Sequence, residues 1–366
     1  MSLDIGRFAS SDELEAGARA TLTQAIFDRI SGGADDESTL AANLSAWRRY
    51  RLRPRVLVDT STIDLTRDVL GTVLKAPIFI SPMGVQTLAH PSGELGTAAA
   101  AGRLGIGFAC STAATVSMEE LAEPAGQARW FQLYVQRDRG ITCDLIARAQ
   151  QAGYRALLLT VDVPVTALRR RDLRNSYRTP AHVQRGNFTQ YENWAGRSNS
   201  VLPGASDEFY AASLTWSDLD WLKSATTMPL VVKGITTAAD ARLAVDRGAD
   251  GVYVSNHGGR QLGRLAGTAE SLVEVVDAVA GRATVLVDGG VREPADVVVA
   301  LALGADAVGI GRPALWALAC GGPPAVHQFL SDFIDGVRRT MVLLGRRCID
   351  EIELSTVAPP TEGMAT

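Results

Sequence analysis

Residues 229–262 read PLVVKGITTAADARLAVDRGADGVYVSNHGGRQL, and residues 284–313 read TVLVDGGVREPADVVVALALGADAVGIGRP. In the first stretch an apolar run ends at Lys233, Ala239-Asp240 opens a helical segment, and Gly248-Ala249-Asp250 leads into a second apolar run. The second stretch repeats the plan, with Ala295-Asp296 opening a helix and Gly304-Ala305-Asp306 preceding the run at 307–310. An acidic residue suits the first turn of a helix and a glycine suits its end. One strand–helix unit is being reused. The runs are apolar almost throughout rather than alternating, as parallel strands buried on both faces require.

Outward from this pair, the same pattern predicts strands at Pro77–Ile80, Ile106–Cys110, Trp130–Tyr134, Ala156–Val161, Pro229–Lys233, Gly251–Ser255, Thr284–Asp288 and Ala307–Ile310. Eight alternating units imply an α/β protein, a (β/α)8 TIM barrel, with an N-terminal helical extension and a long loop after strand 4. Residues 1–366 read as one domain. Residues 1–75 form the extension, with a helix over Ser11–Ile30, another near Ser38–Arg49, and a loop at Arg53-Pro54-Arg55. Residues 164–213, from Pro164 to Ser213, are rich in Arg, Asn, Gly and Ser and read as a mobile, lid-like loop. Plain disorder is the alternative for Gly186–Ser206. The tail, 354–366, reads as loose.

Composition agrees with a soluble enzyme: 366 residues, 46% hydrophobic and 21% charged, with 35 glycines for many tight turns. A net charge of −4 gives no electrostatic case for nucleic acid or a membrane surface. Cys110, Cys143, Cys320 and Cys348 have no CxxC spacing, so neither a zinc site nor a disulfide framework is expected, and no metal. MSLDIGRFAS lacks a basic segment followed by an apolar run, and no stretch is apolar enough to span a bilayer. A cytoplasmic location is therefore expected, and the sequon Asn187-Phe188-Thr189 carries no meaning there.

Unusual polar residues collect where the predicted strands end. They are Ser81-Pro82-Met83-Gly84, Ser111, Gln132 with Tyr134, Thr160 with Asp162, Lys233, Ser255 to Arg260, Asp288-Gly289-Gly290, and Gly311-Arg312. In a barrel these ends converge on one mouth, where barrel active sites lie. The segment 254–262, VSNHGGRQL, is the most specific. His257 suits acid–base work near neutral pH, two glycines let backbone approach a ligand, and Arg260 offers a planar fork to a carboxylate. The bland alternative is a buried structural His257.

Asp288-Gly289-Gly290-Val291-Arg292 and Gly311-Arg312-Pro313 place glycine turns and arginines after strands seven and eight, where barrels commonly bind phosphate. The phosphate of a cofactor or of a substrate fits equally. Lys233 is open to three readings: a Schiff-base nucleophile, a charge stabiliser or a solvated group. Arg169-Arg170-Arg171 begins the long loop, and for two of the three a solvated basic run suffices.

Taken together, 255–262 (SNHGGRQL), 131–134 (FQLY), 160–162 (TVD), 232–234 (VKG), 288–292 (DGGVR) and 311–313 (GRP) resemble the FMN-dependent 2-hydroxy acid oxidases and dehydrogenases, typified by glycolate oxidase, lactate oxidase and mandelate dehydrogenase. The likeness runs from about Ala25 to Ile352. It implies FMN as cofactor, with the phosphate on Gly289, Gly290, Arg292, Gly311 and Arg312 and Asp288 beside it. The ring would contact Pro82, Met83, Gly84, Ser111, Gln132, Thr160 and Ser255, with Lys233 favouring the reduced anionic ring. Arg260 and Arg169 would hold the substrate carboxylate, and Tyr134 would hydrogen-bond the substrate. His257 would take a proton as two electrons pass to flavin N5, with Asp162 stabilising the imidazolium.

Three positions depart from the family pattern. Arg29 stands where a carboxylate-binding tyrosine is usual, and either replaces the phenol with a charge or swings into solvent. Gly84 replaces the alanine of glycolate oxidase, and Ala113 its bulky tryptophan. Both losses of volume predict room for a larger apolar substituent. The expected substrate is thus aromatic or bulky, mandelate or 4-hydroxymandelate, with O2 as acceptor. The alternatives are a small acid such as lactate or glycolate, or a dehydrogenase with a non-oxygen acceptor. Mandelate dehydrogenase carries an apolar membrane insertion, whereas the loop containing Gln184-Arg185-Gly186-Asn187 is polar, so a soluble enzyme is expected. The resemblance further implies a homo-oligomer, a tetramer. A phosphate-binding isomerase barrel would have no need of His257 with Arg260, and a non-catalytic barrel has only Arg29 in its favour.

Overall fold

The computed structural model describes residues 10–191, 210–358 and 360. The chain opens with helices α1 (Ser11–Thr21), α2 (Gln24–Ser31) and α3 (Ser38–Arg48), followed by a short strand β1 (Arg51–Leu52) and a hairpin, β2 (Arg67–Val69) and β3 (Thr72–Leu74). Then come the repeating units: β4 (Ile78–Ile80), α4 (Gly93–Leu104), β5 (Gly107–Ser111), α5 (Met118–Ala122), β6 (Arg129–Leu133), α6 (Arg139–Gln151) and β7 (Leu157–Thr160). The long excursion holds α7 (Arg170–Arg174) and ends at α8 (Asp218–Ser224). Next are β8 (Leu230–Ile235), α9 (Ala238–Asp246), β9 (Gly251–Val254), α10 (Thr268–Val279), β10 (Thr284–Val287), α11 (Pro294–Ala302) and β11 (Ala307–Ile310). The chain closes with α12 (Arg312–Leu344) and β12 (Val357–Ala358).

Strands β4 to β11 form the closed parallel barrel that the apolar runs predict, β11 pairing back onto β4 through Val308↔Ile78 and Ile310↔Ile80. Successive side chains of a strand face opposite sides. Ile78 and Ile80 therefore pack outward under the helices, while Phe79 points into the barrel. There it meets Trp130 and Tyr253 edge-on, with ring centroids 5.1 and 5.4 Å away. Val69, Leu70 and Leu74 of the β2–β3 hairpin pack on this interior cluster.

Three expectations outside the barrel need correction. The helix expected over Ser11–Ile30 is two helices, because Leu22 is extended and the Thr23 hydroxyl accepts the Ile26 N–H at 3.4 Å as an N-cap. The tail is not loose through Ala358: β12 pairs with β1 as Arg51↔Ala358 and Leu52↔Val357. Disorder does not extend over 186–191, since Asn187 is fully buried and donates to the carbonyls of Ser111 and Thr112 at 3.1 and 3.2 Å. Residues 192–206 of that expectation lie outside the described residues. Among the described residues no helix is long and apolar enough to cross a membrane, and the four cysteines are free.

Candidate active site

At the C-terminal mouth of the barrel lies a cavity of about 290 Å³, close to the lower limit of small-ligand sites. The strand-end residues meet there: Pro82, Met83, Gly84, Ser111, Ala113, Tyr134, Lys233, His257, Arg260, Asp288, Gly289, Gly290, Arg292, Gly311 and Arg312 all line it. Arg29 enters from α2 and Arg169 from the excursion. Gln132, Thr160, Ser255 and Asp162 stand one layer behind. Gln132 joins its neighbours, accepting from Ser111 Oγ at 3.1 Å and donating to Thr160 Oγ1 at 2.9 Å.

His257 sits in a left-handed conformation, φ +58°, followed by Gly258 and Gly259 at +65° and +73°. That backbone is uncommon for a side-chain-bearing residue and marks a site held by its surroundings. The holding groups are visible. Ser255 Oγ accepts the His257 N–H at 3.1 Å, and Asn256 Oδ1 accepts the Gly259 N–H at 3.2 Å. Asn256 in turn exchanges two 2.8 Å amide bonds with Asn43 of α3.

The imidazole Nδ1 lies 3.1 Å from Asp162 Oδ1. Burial pushes the His257 pKa below its usual 6.5, and Lys233 and Arg169 push the same way, against the raising effect of Asp162. Burial raises the Asp162 carboxyl, yet His257 and Lys233 outweigh it and hold the group below the usual range. The pair is therefore a neutral imidazole beside a carboxylate near neutral pH. With Nδ1–H directed at Asp162, Nε2 is left as a proton acceptor.

Lys233 is 3% exposed, which removes the solvated reading. Its Nζ donates to Ser255 Oγ at 3.0 Å, and that hydroxyl donates to Asp288 Oδ1 at 2.6 Å. Tyr253 OH donates to Asp288 Oδ2 at 2.7 Å, so a connected polar network floors the cavity.

Arg292 and Arg312 are each 9% exposed and form no ion pair among the described residues. Burial disfavours the charge on both, and Arg292 adds to the effect on Arg312. Arginine nevertheless stays protonated in proteins. Two buried cations therefore face a wall of glycine backbone. Gly290, at φ +83°, lies so close to Asn43 that a Cβ would come within 2.2 Å of its carbonyl oxygen. This donor set fits a phosphate group, at the place the sequence assigns it.

Arg260 is half-buried and has its charge disfavoured by desolvation, then by Arg29 and Arg312. It donates to the carbonyls of Ile30, Gly32 and Arg29 at the C-terminal end of α2. Arg312 shares two of these acceptors, Ile30 and Gly32. The end of α2 thus ties Arg312, beside Arg292, to Arg260.

Of the two readings of Arg29, solvent is excluded. Its side chain is 23% exposed and paired with Asp172 at 2.6 Å. Gly84 and Ala113 touch: a Cβ on Gly84 would fall 2.8 Å from both Cβ and O of Ala113. The glycine's missing carbon is thus taken up by that contact, and the open space at this wall comes from Ala113. Sequence reading passed over Tyr210, which stacks on Tyr134 at 4.6 Å and lines the cavity, and Asp172. An aromatic residue in a polar loop was the one available signal for the first.

Fold and site together define a phosphate-binding barrel with a His–Asp proton acceptor beside a cluster of arginines. Residues 18–359 match the family described as FMN-dependent dehydrogenase, and the chain belongs to it. It is 45% identical to an L-lactate oxidase of Nostoc sp. over 94% of this chain and 96% of that protein. It is 41% identical to glycolate oxidase of Spinacia oleracea, over 96% of each. A structure of mandelate oxidase with (S)-4-hydroxymandelic acid superposes with a TM-score of 0.90 at 40% identity, covering 96% of this chain and 98% of that one. The protein is thus an FMN-dependent 2-hydroxy acid oxidase by family.

Proposed function

We propose that the protein oxidises a bulky, aromatic 2-hydroxy acid, mandelate or 4-hydroxymandelate, to the 2-oxo acid with O2 as acceptor. The observation that carries this reading is Ala113: a small side chain on the cavity wall where the resemblance expects a tryptophan. The space suits an aromatic ring, whose burial is favourable, whereas glycolate would leave it unfilled.

Bound FMN supplies the two-electron acceptor, its phosphate held by Arg292, Arg312 and the backbone of Gly289, Gly290 and Gly311. Arg260 and Arg169 bind the substrate carboxylate, and the Tyr134 hydroxyl orients the substrate. His257 Nε2 takes a proton from the substrate as it is oxidised, and Asp162 stabilises the imidazolium formed. Lys233 contributes a fixed positive charge at the floor. The protein works as a cytoplasmic homotetramer in this reading.

Anaerobic mixing with the enantiomers of mandelate, 4-hydroxymandelate, lactate and glycolate, followed by air, tests it. Fast bleaching by one mandelate enantiomer with rapid return of colour is the expected result. Bleaching by lactate and glycolate alone would overturn the aromatic assignment, and slow recovery in air would overturn O2. The kinship to lactate and glycolate oxidases supports small acids as the second reading.

A further inference from the structure

Arg169 stands at the cavity without a carboxylate of its own. It forms no ion pair among the described residues. Its Nε donates to the Arg260 carbonyl and its Nη2 to Gln261 Oε1, each at a long 3.3 Å. Burial disfavours its charge and Arg260 and Arg29 repel it, with Asp172 and Tyr134 acting more weakly the other way. Two weak bonds are a poor tether for a repelled cation, so its place must be fixed from elsewhere.

The fixing contacts begin two residues further on. Asp172, 5% exposed, accepts from Arg29 Nη1 at 2.6 Å. In return Arg171 donates to Asp28 Oδ1 at 3.3 Å and to Glu37 Oε2 at 2.5 Å. Asn175 Nδ2 adds a bond to Asp28 Oδ2 at 2.8 Å. Each helix therefore offers an adjacent Asp and Arg: Asp28-Arg29 from α2, and Arg171-Asp172 from α7. The two doublets pair reciprocally, so a slip of one residue would set like charge against like.

These are not loose surface pairs, whose worth is close to nothing. The side chains of Asp172 and Asp28 are 6% and 12% exposed. Burial raises the carboxyls of Asp28 and Glu37, yet hydrogen bonds, Arg171 among their donors, hold both below the usual range.

We propose that the reciprocal pairs Arg29–Asp172 and Arg171–Asp28 form a clasp between α2 and α7 that positions Arg169 for the substrate carboxylate. The inference rests on Arg169 being a carboxylate ligand, as proposed above. Arg29 serves the site through Asp172, and this accounts for an arginine where a tyrosine is usual. Asp172, Arg171 and Asp28 are positioning residues and touch no substrate.

The test uses holoenzyme carrying Asp172→Asn, Asp28→Asn, the charge exchange Arg29→Asp with Asp172→Arg, and Arg169→Met as reference. Substrate dissociation constant and limiting rate of anaerobic flavin bleaching are read with mandelate and with lactate as probes. The clasp predicts dissociation constants about 10- to 100-fold higher in Asp172→Asn and Asp28→Asn, the scale of a lost bond to a charged group. Limiting rate and FMN content should hardly change, and the exchange should recover much of the binding. Asp28→Asn keeps the test open should Asp172→Asn fold poorly. Unchanged binding in both Asn variants, with Arg169→Met still impaired, would overturn the clasp and leave the Arg169 reading intact. Unchanged binding in Arg169→Met would overturn both. Binding, limiting rate and FMN content falling together in the Asn variants would reduce the contacts to general support of the fold.

Discussion

Nδ1 of His257 lies 3.1 and 3.2 Å from the two oxygens of Asp162, so one carboxylate fixes both the ring and its tautomer. The pH dependence follows from the direction of the shift. Burial holds the His257 pKa below 6.5, and only the neutral ring accepts a proton. The rate of flavin bleaching should therefore climb with pH through a midpoint below 6.5. Asp162 is the influence that raises the His257 pKa. Asp162→Asn should move the acid limb to still lower pH while cutting the plateau rate, by a factor of about 10² to 10⁴, the usual range for a disabled general base. Anaerobic stopped-flow across pH checks both. A limb displaced upward would contradict the assigned pair.

His257→Ala isolates the same step from cofactor binding. His257 lines the cavity but supplies no donor to the Arg292–Arg312 corner. The variant should stay yellow and lose turnover by orders of magnitude. Near-normal turnover would remove His257 as the base.

Ala113→Trp should suppress oxidation of aromatic acids more than of lactate or glycolate. The residue lines the cavity and already sits against Gly84, so the indole can expand only into the open space. The ratio of kcat/KM for mandelate over lactate is the measurement. Equal losses for both would mean that position 113 does not face the substrate.

The barrel was legible because its strands are buried on both faces and read as plain apolar runs, each followed by its chemistry. His257, Arg260, Arg292 and Arg312 stand where strand order puts them. What escaped depends on contacts between distant parts of the chain. Two-residue strands such as Arg51–Leu52 and Val357–Ala358 have no periodicity to detect, and exist only because they pair. The break at Thr23 is a competition between a hydroxyl cap and a helix continuing, which pattern alone does not decide. Asp172 was hidden in a basic run, and its meaning appears only when Arg29 of α2 is beside it.

Arg312→Gln should leave a folded barrel that loses FMN on dialysis. Arg312 is buried, has no carboxylate partner, and faces the glycine wall with Arg292. Removing it takes away a charge-assisted bond to phosphate, so FMN affinity should fall about 10- to 100-fold. The same change removes the repulsion that Arg292 exerts on Arg312, and it frees the Ile30, Gly32 and Gly258 carbonyls that Arg312 occupies. The first two carbonyls are still served by Arg260, so thermal stability of the FMN-free protein should change little. Fluorescence titration of the apoprotein with FMN and its melting temperature separate the two effects. A protein that binds FMN as tightly as before would place the phosphate elsewhere, whereas a large drop in apoprotein stability would make Arg312 chiefly a cap for α2.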